Sequence, residues 1–274
     1  MEGKAMNAIE FEHVSFQYAG SASLAVEDVS LVVHEGDRLV VLGPNGSGKT
    51  TLLKLMNGVL KPSTGRVTVE GLDTANSNAS VIAKRVGLVF QNPNHQFFSQ
   101  SCLEETRFAL DNFGYEARQA EFLAEEALRR FDLFKYRDVS PFALSVGEKK
   151  RLSIASVAVY NPDVLALDEP TAGQDAKHKQ LIGRLILDFP GKAVVATTHD
   201  VEFALTYFNR AMIMYKGRIL EEGTPRDVFY GTSLFDLGLL PPSVVEVARL
   251  LKLDRRKPTN ASELLTSIEE EILT

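Results

Sequence analysis

Residues 39–51 read Leu39-Val40-Val41-Leu42-Gly43-Pro44-Asn45-Gly46-Ser47-Gly48-Lys49-Thr50-Thr51. Four consecutive apolar residues leave no polar face, which predicts a strand buried on both sides of a parallel sheet. Gly43 to Thr50 then have the spacing Gly, four residues, Gly-Lys-Ser/Thr. Small residues let successive backbone N–H groups point inward at phosphate oxygens, and the helix that begins next adds its positive end. In such a loop the Lys49 ammonium neutralises charge on the β- and γ-phosphates, and the Thr50 hydroxyl ligates Mg²⁺. The plainer alternative is an ordinary glycine-rich turn between strand and helix. The buried strand before it and the periodic Leu52, Leu53, Leu55 and Met56 after it favour a nucleotide site.

Two further runs, Val164-Leu165-Ala166-Leu167 and Ala193-Val194-Val195-Ala196, are apolar at every position and pass directly into polar residues. These are Asp168-Glu169 after the first and Thr197-Thr198-His199-Asp200 after the second. Ligands of open α/β sheets sit beyond the carboxyl ends of the strands, so three such ends point to one site. Neighbouring residues of a strand face opposite ways, so Asp168 can hold Mg²⁺ through its water shell while Glu169 polarises an attacking water. A solvated acidic turn is the alternative. His199 at the same edge reads as a γ-phosphate contact, against the commoner structural histidine.

The rest of the chain supplies a frame for these ends. Ile9 to Tyr18 alternates apolar and polar residues, as do Val29 to Val33 and Val67 to Val69, which predicts antiparallel strands separated by Gly and Ser turns. Between about 93 and 159 the period becomes helical, with Phe122, Leu123, Ala127, Leu128 and Phe131 on one stripe. Beyond Gly223 a tail of about fifty residues carries stripes at Val244, Val247, Ala248, Leu251 and at Leu264, Leu265, Ile268, Ile272.

Composition narrows the function. The 274 residues are 45% hydrophobic and 24% charged, ordinary for a chain with a real core. A net charge of −6, from 30 basic and 36 acidic residues, argues against a protein built to grip nucleic-acid phosphates. The single Cys102 forbids an internal disulfide. No run of about 18 apolar residues exists to cross a membrane, and Met1 to Glu12 lacks the apolar core of a signal peptide. Work at a membrane is therefore expected from its surface.

Leu144-Ser145-Val146-Gly147-Glu148 opens a predicted helix. Ser145 and Glu148 have capping-box spacing, which is reason enough for both. The sharper reading is that Ser145 Oγ and the Gly147 N–H receive a phosphate.

Taken in order, these motifs resemble an ATP-binding cassette (ABC) ATPase over about residues 9–223. Residues 144–148 look like that family's signature, usually Leu-Ser-Gly-Gly-Gln. Thr171-Ala172-Gly173-Gln174-Asp175 resembles its D-loop, His199 its switch histidine, Gln91 its Q-loop glutamine and Tyr18 the aromatic that stacks on adenine. The resemblance implies an α/β fold: a RecA-like P-loop parallel sheet, an antiparallel β subdomain, a helical insertion and a small C-terminal helical extension. It divides the chain into a cassette at 1–224, with its helical subdomain at about 93–159, and an extension at 225–274 expected to dimerise. It implies ATP and Mg²⁺ as cofactors, the metal held by Thr50, Gln91 and, through water, Asp168. The nucleotide contacts then run from Gly43 to Thr51, with Glu169, His199 and Gln91 catalytic. Two cassettes, identical or different, are expected to pair head to tail, with Ser145, Val146, Gly147 and Glu148 facing the partner's ATP and Asp175 in the D-loop.

Gln91-Asn92-Pro93-Asn94-His95-Gln96-Phe97-Phe98 narrows the resemblance to the ATPases of energy-coupling-factor (ECF) importers, which take up metal ions or vitamins. That implies a transmembrane T component, a substrate-binding S component and a place on the cytoplasmic face of the membrane. For Gln96 and Phe97 the alternative is plain surface and core. Val146 and Glu148 depart from the signature and Gln174 from the usual D-loop Leu. A β-branched Val146 is expected at ordinary φ, and Lys149, Lys150 and Arg151 are expected to offset Glu148. A degenerate site in an asymmetric pair is the other reading. The rival functions are a conventional ABC transporter ATPase and a soluble, non-transport ABC ATPase; a nucleotide-dependent binding module is a further one. A P-loop GTPase is excluded, because no Asn-Lys-x-Asp segment occurs.

Overall fold

The computed structural model describes residues 7–231 and 234–272. The first half of the Met1–Glu12 stretch, and the side chain of Ile272, lie outside that range.

Two sheets organise the chain. In the smaller, β1 (Asn7–Phe16), β2 (Val26–His34), β4 (Thr64–Val69) and β5 (Leu72–Asp73) run antiparallel in the order β2-β1-β4-β5. Ile9 stands opposite Val33 and Val69, and Phe11 opposite Leu31 and Val67, so the alternating residues meet on one buried face. Register slips near His13 and Asp28, both at positive φ, where Ser30 Oγ accepts from His13 N and Ser15 Oγ from Asp28 N.

The larger sheet contains β3 (Arg38–Leu42), β6 (Val86–Val89), β7 (Val164–Asp168), β8 (Ala193–Thr197), β9 (Arg210–Tyr215) and β10 (Arg218–Gly223), in the order β10-β9-β3-β8-β7-β6. All pairs are parallel except β10 with β9. The wholly apolar strands now have a physical account. Val40, Leu42, Leu165 and Leu167 enter one core, whereas Leu39, Val41, Val164 and Ala166 enter the other. Each strand is thus covered on both faces, by the small sheet and α1 (Lys49–Met56) on one side and by helices on the other. β9 and β10, which no sequence motif singles out, complete the edge beside β3.

α2 (Ala79–Arg85) precedes β6. Between β6 and β7 lie α3 (Cys102–Asn112), α4 (Ala117–Arg130) and α5 (Val146–Ala158). α6 (Ala176–Leu187) and α7 (Val201–Tyr207) follow β7 and β8. α8 (Pro225–Gly231), α9 (Ser243–Leu250) and α10 (Ala261–Ile272) form the tail. Two apolar stripes are corrected here. In α4 the buried face is Ala120, Ala124 and Leu128, while Phe122 is exposed. In α9 it is Val245 and Ala248, with Val247 and Leu251 outward. Leu128 and Phe131 of the expected α4 stripe are buried and only Phe122 is turned to solvent, whereas of the expected α9 stripe Ala248 is buried and Val247 and Leu251 face outward.

Candidate nucleotide site

The glycines of residues 43–48 answer to the backbone around them. A Cβ on Gly43, at φ +147°, would lie 2.1 Å from Met214 O, and one on Gly48, at φ +104°, 2.2 Å from Ala25 O. Only glycine passes through either place. Gly48 is also the N-cap of α1 and offers no side-chain acceptor, so the N–H groups of the first turn are left for an anion. Ser47 Oγ is buried beside them with no hydrogen-bond partner among the described residues. Lys49 Nζ donates to Gly43 O (2.7 Å) and Pro44 O (2.9 Å), folded onto its own loop. Burial lowers its pKa, against the pull of Glu169 and Asp168.

The strand ends converge on this loop. Thr50 Oγ1 donates to Asp168 Oδ2 (2.8 Å) across 118 residues of sequence, and Thr197 Oγ1 to Asp168 Oδ1 (2.6 Å). Glu169 sits at φ +50°, a rare state for a residue with a side chain, pinned by its N–H donating to Thr197 O (3.1 Å). Its carboxylate lies 2.8 Å from His199 Nδ1 and is 5% exposed. Burial holds the Glu169 carboxyl above the usual glutamate range, with His199 and Lys49 opposing the shift. A cleft of about 400 Å³ is lined by residues 45–51, Tyr18, Ala25, Gln91, Asp168 and Glu169. At its rim Tyr18 Oη lies 3.1 Å from Thr51 Oγ1, and its ring meets Phe16 edge-on.

Thr50, Gln91 and Asp168 present a hydroxyl, an amide and a carboxylate to one cleft. Mg²⁺ prefers hard oxygen donors and takes only one or two carboxylates when phosphates complete its shell, so this set fits the ion. Among the described residues no cluster of three His, Cys, Asp or Glu suits a metal held by protein alone.

Ser145, Val146, Gly147, Glu148 and Asp175 are not in this cleft. All of them but Val146 border a second one of about 330 Å³, with Arg151, Gln174 and His178. The plainer reading of Ser145 holds: Glu148 N donates to Ser145 Oγ, and Ser145 N and Oγ donate to Glu148 Oε2 at 2.9 and 2.7 Å. The bond from the Ser145 hydroxyl leads the groups that pull the Glu148 carboxyl down to about 2. Val146 is exposed and lies outside the positive-φ residues, as expected of a β-branched side chain. Gln174 Nε2 donates to Gly147 O (3.2 Å), so the D-loop departure touches the signature turn. Asp175 caps α6, accepting from His178 N.

One expectation is overturned. Lys150 does not offset Glu148. Its ammonium is buried and donates to Phe90 O (3.0 Å), Gln91 O (3.3 Å) and Asp168 O (2.7 Å), and burial lowers its pKa to about 8. Arg151 Nε donates to Phe131 O, though its charge still helps to lower Glu148. Gln96 is neither plain surface nor plain core: Phe90 N donates to its Oε1, and its Nε2 donates to Ser153 O (2.9 Å) and Ser156 Oγ (3.0 Å). Phe97 is buried, whereas Phe98 is exposed. No local spacing marks Lys150, because its three acceptors are backbone oxygens at the end of β7 and just beyond the end of β6.

A phosphate cradle between a buried strand and a helix, with paired carboxylates two strands away in the same sheet, defines a P-loop nucleotide hydrolase. Residues 26–172 match the ABC transporter family, and the chain belongs to it. A putative ABC transporter ATP-binding protein of Pyrococcus abyssi is 36% identical over 97% of this chain and 100% of its own length. The energy-coupling factor transporter ATP-binding protein EcfA2 of Leuconostoc mesenteroides is 33% identical over 96% of this chain and 98% of its own. Among solved structures, CbiO1 of Clostridium perfringens, part of the ABC transporter complex CbiONQ, superposes with a TM-score of 0.73 at 28% identity, covering 92% of this chain and 98% of its own. A dimeric ATP-binding cassette in a post-hydrolysis state with ADP and Pi gives 0.71 at 26% identity over 79% of this chain and 98% of its own. The chain is an ATP-binding, ATP-hydrolysing subunit of an ABC transporter.

Proposed function

We propose that the chain is the motor subunit of an ECF-type importer, working on the cytoplasmic face of a membrane. The observation that carries this reading is an aromatic surface directly after Gln91. Phe98 and Phe108 are both exposed and meet edge-on at 4.4 Å, and exposed Phe142 packs on Phe97. Clustered exposed rings fit a protein partner better than water, and a T component is that partner. The relatives named as energy-coupling factor ATPases support the same reading. No described helix is long and apolar enough to cross a membrane, so the cargo, a metal ion or a vitamin, passes through the T and S components.

In the chemistry, Tyr18 stacks on adenine and residues 43–51 cradle the phosphates. Glu169, oriented by its contact with His199, takes the proton of the attacking water. Mg²⁺, held by Thr50, Gln91 and the water shell of Asp168, supplies neutralisation of triphosphate charge. Ser145, Val146, Gly147 and Glu148 face the ATP of a second cassette, with Asp175 beside them. Residues 1–224 form the cassette and 225–274 an extension that strengthens pairing.

The test is purification of the tagged chain from its own membranes in mild detergent, with mass spectrometry of its companions. A small transmembrane protein with one or two cassettes is the expected result. Large paired transmembrane subunits would indicate a conventional ABC transporter. Soluble or nucleic-acid partners alone would sink the transport assignment.

A further inference from the structure

Lys150 is 2% exposed, yet its ammonium reaches from α5 to the ends of two strands. An ammonium has three protons, and Phe90 O, Gln91 O and Asp168 O take all three. β6 and β7 pair in register as far as Val89 and Leu167. The three oxygens belong to residues just past that last register pair, at the ends of the two strands. The same helix also holds the other side of Phe90. Its N–H donates to Gln96 Oε1, and Gln96 Nε2 is anchored on Ser153 and Ser156 of α5. Phe90 is therefore gripped by both its backbone groups. α5 begins at Val146, so Lys150 stands about one turn from the Ser145–Gly147 turn.

We infer that Lys150 is a positioning residue for ATP hydrolysis: it fixes the backbone of Gln91 against that of Asp168 and ties both to the signature helix. The inference rests on the proposed roles of Gln91 and Asp168 in serving the nucleotide. Residues 43–51, carried by β3 and α1, do not depend on this clamp. Loss of Lys150 therefore leaves ATP bound but lets Gln91 drift from the reacting phosphate. Small misplacements of that kind slow turnover without weakening binding.

The test uses the full-length chain with the partners that co-purify in mild detergent. ATPase kinetics are compared for wild type, Lys150→Met, Lys150→Arg, Gln91→Ala and the double variant Lys150→Met/Gln91→Ala. Lys150→Met is expected to lower kcat by about ten- to a hundredfold with KM for ATP changed less than about threefold. Lys150→Arg, which keeps donors, is expected to retain more of kcat than Lys150→Met. In the Gln91→Ala background the Met substitution is expected to add less than about threefold, because both changes remove one device. If Lys150→Met does not fold, Lys150→Gln is read on the same two axes. A normal kcat, a KM that rises as much as kcat falls, or fully multiplicative losses in the double variant would overturn the inference while leaving the role of Gln91 intact. A silent Gln91→Ala would overturn that role and the inference together.

Discussion

At the scale of single residues, Glu169 and Lys49 separate catalysis from binding. Glu169 is buried, held at positive φ and paired with His199, whereas Lys49 lies within the phosphate loop. Glu169→Gln keeps the shape and hydrogen-bonding capacity of the side chain but cannot take a proton. It is expected to cut turnover by about a hundredfold or more and to leave the Kd for ATP within about threefold. Equilibrium binding and steady-state assays on one preparation decide this; retained turnover would reject Glu169 as the base. Lys49→Ala is expected to do the reverse first, raising the Kd for ATP at least about tenfold, since a charge-assisted contact to phosphate is lost. Both residues were legible in sequence, because each is set by covalent neighbours: a glycine-spaced loop and a strand end. Lys150 was not. It stands beside Lys149 and Arg151 in an ordinary basic run, and only the approach of β6 and β7 to α5 gives its ammonium three acceptors.

At the scale of elements, α5 shows how one motif carries two duties. Its capping box closes in the described conformation, and Glu148 is pulled from 4.5 to about 2, first by the Ser145 hydroxyl. A carboxyl depressed on folding contributes stability that is fully present above its unfolded pKa and is lost as pH falls through the folded one. For Glu148 that window runs from about 4.5 down to about 2. Glu148→Gln is expected to lower stability by about 1 kcal/mol at neutral pH, the usual worth of a cap and well below the formal value for so solvent-screened a group. The gap to wild type should narrow through this window and close below about pH 2, as read from denaturant titrations. A constant gap would mean that the charge is not what stabilises the helix start. α4 and α9 carry the opposite lesson. Their periodicity announced helices, but Ala120 and Ala124 rather than Phe122, and Val245 rather than Val247, turned inward. Period alone fixes an amphipathic helix only to within a residue or so of rotation, and the fit against the core decides the rest.

At the scale of the whole molecule, the tail is not a loose appendage. Phe229, Leu234, Leu239 and Val245 belong to the same buried cluster as Val40, Leu165 and Val194 of the parallel sheet. Deleting residues 225–274 is therefore expected to lower the melting temperature or yield insoluble protein, since several large apolar side chains leave one core. Leu250 and Leu265, by contrast, are 77% and 60% exposed. Changing both to Asp is expected to leave the melting temperature within a few degrees and to weaken self-association, measured by analytical ultracentrifugation. Unaltered association would remove the pairing role proposed for the extension.

The phosphate loop, the carboxylates and histidine at three strand ends, and the two-sided burial of the strands that carry them are legible in the order of residues. Each follows from residues adjacent in the chain, where spacing and alternation translate directly into geometry. Only packing brings Thr50 to Asp168, sets Ser145, Gly147 and Glu148 beside a cleft apart from the P-loop, and laces α5 to the end of β6 through Lys150 and Gln96. Those contacts join groups that stand far apart in sequence, several of them backbone atoms. A backbone carbonyl has the same chemistry at every residue, so only the packed sheet determines which ones face a buried ammonium.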